Sequence, residues 1–370
     1  MTSGTEAAAS KDLSWEGRSI ELGDIERELN RLWQEVVGGA HKGPAPARAS
    51  VLNLVVYTTS DSDAEKLNGI IGRLSGRHPL RAIVLSAEPE RPTPSLDTAI
   101  RTYCFTDPAT GKQACCEQVM VGANGEPANH LTGIVVPLLL PDLPLYLWWM
   151  GEPNVETSNF SSLVRSAQKL IIDSSTFTPS PEAYRALLVI ARNSRRACTV
   201  SDLNWFRLWP MFEAIAQFFD DRALRPHLFG IEKVTVEYAR APGSNASNPS
   251  QAALMAAWLY SRLGEEPKDV ELKAVEREGA ENGNVLSFEM RTRHGDETAA
   301  FRIAEAGDSG RHANACATVG DRTLLDRVVM LNSRSQEEML DLALESARRD
   351  VAYEESLELA ARFLEKEQTR

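Results

Sequence analysis

Apolar and polar positions alternate along this chain with periods that change from segment to segment. Ile25, Leu29, Leu32 and Val36 recur at helical spacing, while Glu21, Arg27, Arg31 and Glu35 occupy other positions. This predicts an amphipathic helix over 19–37, ended by Gly38-Gly39 and followed by the linker GAHKGPAPARA. SVLNLVVYT then predicts a strand, DAEKLNGIIGRLSG a helix behind the caps Ser60-Asp61-Ser62-Asp63, and RHPLRAIVLSAE a second strand. Strand, helix, strand in that order favours a parallel pair. AIRTYCF and KQACCEQVMVG predict a β-hairpin around DPATG. Further on, 159–167 predicts a helix, KLIIDSST a strand, SPEAYRALLVIARNS a helix and 202–221 a very aromatic helix interrupted by Pro210.

The second half changes character. A strand KVTVEYAR and a helix ending at Gly264 precede four strand-like runs, VELKAVERE, NVLSFEMRTRHG, TAAFRIAEAG and ANACATVGD, separated by polar turns. These favour an antiparallel sheet. Ser335 and Glu338 form a capping-box pattern that opens a last long helix. The expected fold class is α/β (α+β), in this order: a disordered 1–18; helix and linker over 19–47; an N-terminal mixed α/β sheet domain over 48–177; a mainly antiparallel α+β domain over 178–334; and a long C-terminal helix over 335–370. The domain break falls in FTPSPE, 176–181.

One run, TGIVVPLLLPDLPLYLWWM over 132–150, approaches the length of a bilayer span. Pro137, Pro141 and Pro144 break a helix there and Asp142 sits between two of them. Hydrocarbon demands that backbone groups be satisfied within the segment. A membrane span is therefore not expected. The polar start has no apolar signal core, so a cytoplasmic location is expected.

Composition refines this. The chain has 370 residues and a formal net charge of -12. That balance is opposite to the basic surface of a duplex binder, so a protein or small metabolite is a better partner than nucleic acid or anionic lipid. The basic spot Arg192, Arg195, Arg196 reads as a helix end. Five cysteines, an odd number in a long chain, do not make a disulfide framework.

Catalytic signatures are sparse. There is no Walker loop, no GxGxxG after the first strand, no GxSxG and no HExxH. Ser166-Ala167-Gln168-Lys169 matches SxxK without its companion elements. The six histidines are scattered, and no metal or cofactor is expected. With the hairpin turn centred between Ala109 and Thr110, Cys104 lies opposite Cys115, so Cys104, Cys115 and Cys116 are the redox candidates; the other reading makes all three small core residues. The loop 58–62 at a helix N-terminus is a candidate phosphate cradle, for a sugar-phosphate enzyme or a metabolite sensor.

Five runs in order carry a family resemblance: HPLRAIVL (78–85), QACCEQV (113–119), PLLLPDLPLYLWW (137–149), LIIDSS (170–175) and DLNWFRLWP (202–210). Together they resemble OpcA, the glucose-6-phosphate dehydrogenase assembly protein family of bacteria. The resemblance implies a non-catalytic role: binding glucose-6-phosphate dehydrogenase and favouring its active oligomer. It also implies cysteine control in some cyanobacterial members, through C-terminal cysteines that have no counterpart after Cys316 here. The partner-binding element expected on this basis is Pro141, Asp142, Leu143, Pro144, Trp148 and Trp149. Adjacent residues of a strand face opposite sides, so one tryptophan can enter the core while the other faces a partner. Burial of both under the 202–219 helix is the other reading. The C-terminal helix is a second interface candidate.

Overall fold

A computed structural model describes residues 11–13, 21–39, 47–48, 50–106, 113–192, 198–244, 246–307, 311–346 and 348–369. The hairpin turn at 107–111, the linker over 40–46, Arg195, Arg196 and most of the first 18 residues lie outside them. The chain forms two compact units, residues 1–172 with 195–198, and residues 173–194 with 199–370. The boundary precedes the expected FTPSPE break by a few residues. Among the described residues no helix is long and apolar enough to cross a membrane.

The first unit contains β1 (Lys11–Leu13), α1 (Ile25–Gly39), β2 (Ala47–Arg48), β3 (Leu52–Thr58), α2 (Asp61–Arg77), β4 (Leu80–Glu88), β5 (Ser95–Thr106), β6 (Gln113–Asn124), α3 (Leu131–Val135), β7 (Leu145–Trp149), α4 (Ser158–Ser166) and β8 (Lys169–Ile172). Its sheet order is β1-β5-β6-β4-β3-β7-β8, with β2 beside the start of β6. The centre, β6-β4-β3-β7-β8, is parallel, and β5 and β1 add antiparallel strands at one edge. β3 and β4 are buried along nearly their whole length. That is why they read as continuous apolar runs rather than alternating ones. Ile25, Leu29 and Leu32 of α1 are buried, as their spacing predicted, while the side chain of Val36 lies outside the described residues. Lys11–Leu13, within the stretch 1–18 expected to be disordered, form a strand paired with the outer edge of β5.

Arg81, on β4, is 1% exposed. Burying a guanidinium is costly unless every N–H finds an acceptor. Here Nε and Nη2 donate to Glu117 at 3.0 and 2.6 Å, Nη1 donates to the Leu138 carbonyl at 3.0 Å, and Glu26 of α1 accepts from Nη1 and Nη2. Glu117 is itself 3% exposed.

The hairpin register sets Cys104 opposite Cys115, and the two form a buried disulfide with Cα atoms 4.1 Å apart. Cys116 points to the other face of β6, stays a thiol against the Ser75 carbonyl at 3.6 Å, and burial pushes it up to about 11. It is packed in the core, where burial favours the thiol over the thiolate.

The second unit contains α5 (Pro181–Arg192), β9 (Thr199–Asp202), α6 (Leu203–Ala216), β10 (Ile231–Arg240), α7 (Ser250–Leu263), β11 (Asp269–Glu276), β12 (Val285–His294), β13 (Glu297–Glu305), β14 (His312–Val319), β15 (Arg322–Met330), α8 (Gln336–Glu345) and α9 (Val351–Gln368). Its sheet runs β11-β10-β12-β13-β14-β15, antiparallel except for the parallel pair β10–β11. α7 makes that parallel crossover and ends at Gly264 in the left-handed conformation, whose N–H closes onto the Tyr260 carbonyl. α6 runs through Pro210 without splitting.

The stretch 335–370 is two helices, not one. The capping box at Ser335 and Glu338 forms and starts α8. Asp350 then starts α9 by accepting from the Tyr353 N–H at 2.9 Å, and its second oxygen accepts from the Trp205 indole at 2.9 Å. The Asp350 carboxylate, fixed by the core indole, begins a new helix shortly after α8 ends.

This packing makes two substitutions informative. Arg81→Met leaves the Glu117 carboxylate buried without its cation and lowers the unfolding free energy by about 3–5 kcal/mol in urea titration, whereas Arg81→Met with Glu117→Leu recovers most of it. Cys104→Ser with Cys115→Ser costs about 2–3 kcal/mol in the same measurement, because the short loop is no longer closed in the unfolded chain.

Candidate functional site

In a doubly wound sheet, ligands bind beyond the carboxyl ends of the strands where the order reverses. In the first unit that point lies between β3 and β7, because α2 carries the chain to β4 on one side and β7 joins on the other. The Tyr57 and Trp149 rings stack there at 3.7 Å, and Phe160 of α4 meets the Trp149 ring edge-on at 4.9 Å. Backbone pairing continues to the strand ends, with Met150 N–H donating to the Tyr57 carbonyl at 2.9 Å.

The side chains of the loop 58–62 beside it, the candidate phosphate cradle, are engaged within the fold. Ser60 caps α2 by accepting from the Asp63 N–H at 3.3 Å, and its hydroxyl lies 3.0 Å from that of Ser62. Asp61 accepts from Ser86, and Asp63 pairs with Lys66 at 2.9 Å. Two carboxylates in the first turn already serve the helix dipole and repel an anion.

The expected partner-binding residues divide. Trp148 and Trp149 are 1% and 5% exposed. Strand alternation does send them to opposite faces, but both faces are covered, so neither indole presents a surface. Pro141 and Asp142 are exposed, and Leu143 and Pro144 are half-buried. Asn53 clamps this turn: its amide donates to the Leu140 and Leu143 carbonyls at 3.0 and 3.4 Å and accepts from the Leu140 N–H at 2.8 Å. Asp142, at φ 64°, takes the left-handed conformation that a non-glycine residue adopts only when its surroundings enforce it. The cysteine hairpin is remote in sheet order, with β4 and β3 between β6 and β7. Ser166 donates to the Ser162 carbonyl at 3.2 Å, and Lys169 is buried 5.2 Å from the Tyr146 ring, with burial lowering its ammonium to about 8.

The second unit holds a polar centre that carries no chemical signal at the level of sequence. Asp202 is buried and accepts from the Ser174 N–H and hydroxyl at 3.0 and 2.6 Å, from the Asn204 N–H at 2.9 Å and from the Tyr353 hydroxyl at 3.0 Å. Ser174 in turn accepts from Tyr184 and from the Asn204 amide at 3.4 and 3.0 Å. Beside this, Arg207 grips Asp173 through two bonds of 2.7 and 2.6 Å and touches the Ser175 hydroxyl at 3.1 Å. The DSS of LIIDSS and the run DLNWFRLWP are thus complementary parts of one buried network. Arg207 also lines a cavity of about 820 Å³ bounded by α6, the turn between β11 and β12, and the segment after β15.

Burial raises the Asp202 carboxyl from 3.8 to about 6, against the lowering effect of the Ser174 and Asn204 donors. A folded-state value above the ordinary one contributes stability that is complete below about pH 4 and is lost as pH rises through about 6. Asp202→Asn turns an amide N–H toward hydroxyl and N–H donors and costs about 1–3 kcal/mol at pH 7. Urea titrations between pH 4 and pH 7 are expected to show the gap between parent and variant shrinking as pH rises; a constant gap contradicts the assignment.

Comparison with known proteins accounts for these motifs. The N-terminal domain described for a glucose-6-phosphate dehydrogenase subunit matches residues 72–189, and the C-terminal domain described for the same protein matches residues 198–357. The OxPP cycle protein OpcA of Synechocystis is 29% identical over 199 residues, 53% of this chain and 39% of that protein. The OpcA protein of Synechococcus elongatus is 26% identical over 343 residues, 82% of this chain and 71% of that protein. The matched stretch therefore spans about two-fifths of the length of the first relative. Among solved structures, the 3-ketoreductase KijD10 from Actinomadura kijaniata, in complex with NADP and TDP-benzene, superposes with a TM-score of 0.46 at 10% identity, over 86% of this chain and 97% of that one. With both domains matched in order along residues 72–357, the chain belongs to the OpcA family of glucose-6-phosphate dehydrogenase assembly proteins.

Proposed function

We propose that this chain is a non-catalytic partner that binds glucose-6-phosphate dehydrogenase and shifts it toward its active oligomer. The observation that carries the reading is the match of both family domains, in order, over residues 72–357. The first unit's sheet supports it. At the strand reversal, where a dinucleotide enzyme needs a glycine turn against pyrophosphate, this chain has a serine-capped turn with Asp61 and Asp63 and a stacked Tyr57–Trp149 pair.

Activation follows from differential affinity: a partner that binds the active state better than the inactive one raises its population by that ratio. The docking element in this reading is the 141–144 turn, with Pro141 and Asp142 outermost. A turn held from behind by Asn53 loses little freedom on binding. The acidic chain, at net charge -12, calls for a basic face on its partner.

Co-elution and an NADPH-formation assay with the dehydrogenase from the same cell test the proposal. A complex is expected to elute, with a higher kcat or a lower KM for glucose 6-phosphate; no complex and unchanged kinetics overturn it. Asp142→Lys is expected to weaken association about tenfold or more, whereas Asp142→Gly keeps the left-handed turn and the fold. Equal affinity for the parent and Asp142→Lys removes the turn from the interface.

A further inference from the structure

The cavity of the second unit is within the size range of small-molecule sites. Its wall carries three cations, Arg207, Arg277 and Arg334, and three carboxylates, Glu278, Glu281 and Glu305. The arginines are not equivalent. Arg207 is answered by the bidentate Asp173. Arg277 donates to the Gly307 carbonyl at 2.8 Å and lies 3.9 Å from Glu305.

Arg334 is half-buried. Its Nη1 donates to the Phe206 carbonyl at 3.2 Å, and its guanidinium lies 5.4 Å from the centroid of the Trp209 ring. Among the described residues no carboxylate lies within 4.0 Å of it. A guanidinium fixed by a carbonyl and an aromatic ring keeps its charge and further N–H donors for an anion, and its planar fork matches phosphate oxygens.

The rest of the wall suits the remainder of such a ligand. Glu278 and Glu281 are exposed at the rim, where carboxylates accept from hydroxyl groups. Leu208, Met211 and Leu286 offer apolar surface to C–H groups. The wall is also tied into the fold. Gly283 has φ +93°, and a Cβ there would stand 2.7 Å from the Asn248 carbonyl oxygen, so the β11–β12 turn closes on Asn248 only as glycine. Asn248 in turn donates to the Ser175 carbonyl at 2.8 Å, tying that wall to the Asp173–Arg207 pair.

We infer that this cavity binds a phosphorylated polyol of the sugar-phosphate class, with the phosphate on Arg334 and the hydroxyls on the rim carboxylates. The inference is independent of the assembly reading, because it concerns the isolated chain.

Calorimetric titration of the full chain with glucose 6-phosphate, ribose 5-phosphate, glucose and inorganic phosphate tests it. At least one sugar phosphate is expected to bind saturably with a Kd below about 1 mM, inorganic phosphate about tenfold or more weaker, and glucose not at all. Arg334→Gln is expected to weaken the sugar phosphate about tenfold or more while the ligand-free melting temperature stays unchanged. If Arg334→Gln unfolds the chain, Arg334→Lys, which keeps the charge and loses the planar fork, serves instead, with the same expectation. The inference fails if neither sugar phosphate saturates up to about 10 mM, if inorganic phosphate binds as tightly as the sugar phosphates, or if binding survives in the folded arginine variant.

Discussion

A guanidinium taken out of water must be answered at each of its N–H groups, and Arg81 imposes that demand on the first unit. Its partners are Glu117 of β6, Glu26 of α1 and the Leu138 carbonyl ahead of β7. Three of the sequence runs that mark the family, HPLRAIVL, QACCEQV and PLLLPDLPLYLWW, are therefore joined through this one side chain. Neither a lysine nor a shifted strand register reproduces those contacts, because the planar fork fixes directions as well as charge. The run with the prolines has to come back to β4 at Leu138, and from there Asn53 shapes the turn that leads into β7.

The second unit solves a similar problem with the opposite charge. Asp202 is buried and is answered by donors from Ser174, Asn204 and Tyr353, so the remaining two family runs meet around one carboxylate. Asp173 and Arg207 extend that centre to the edge of the cavity. Because α9 supplies Tyr353, and Asp350 holds the Trp205 indole, the same centre decides where the last helix begins. A polar network of this kind assembles in one arrangement of its elements, which makes it a specifier of structure.

Much of the fold was legible in local pattern. The strand–helix–strand opening, the hairpin register that sets Cys104 against Cys115, the capping box at Ser335 and the antiparallel second half all depend on short-range chemistry. What was not legible depends on partners far away in sequence. β15 alternates weakly, with Val328 and Met330 exposed, because it is an edge strand whose residues are mostly exposed on both faces. The break at Asp350 follows from an indole 145 residues earlier. Alternation left the two tryptophans of the proline run open between a core–surface pair and two core residues; Tyr57 and Phe160 cover Trp149, and Trp148 is buried on the other face. The Asp202 centre was invisible because its residues are unremarkable singly and acquire meaning only when LIIDSS meets DLNWFRLWP.

In the function proposed above, the chain holds surfaces rather than performing chemistry, with a rigid turn on one unit and a charged cavity in the other. The central claim is that the dehydrogenase's oligomeric state depends on this chain. Mass photometry of the dehydrogenase from the same cell, alone and with increasing amounts of this protein, tests that claim most directly. The expected result is a population that moves toward a larger, active assembly whose mass includes this chain. An unchanged mass distribution at saturating amounts contradicts it.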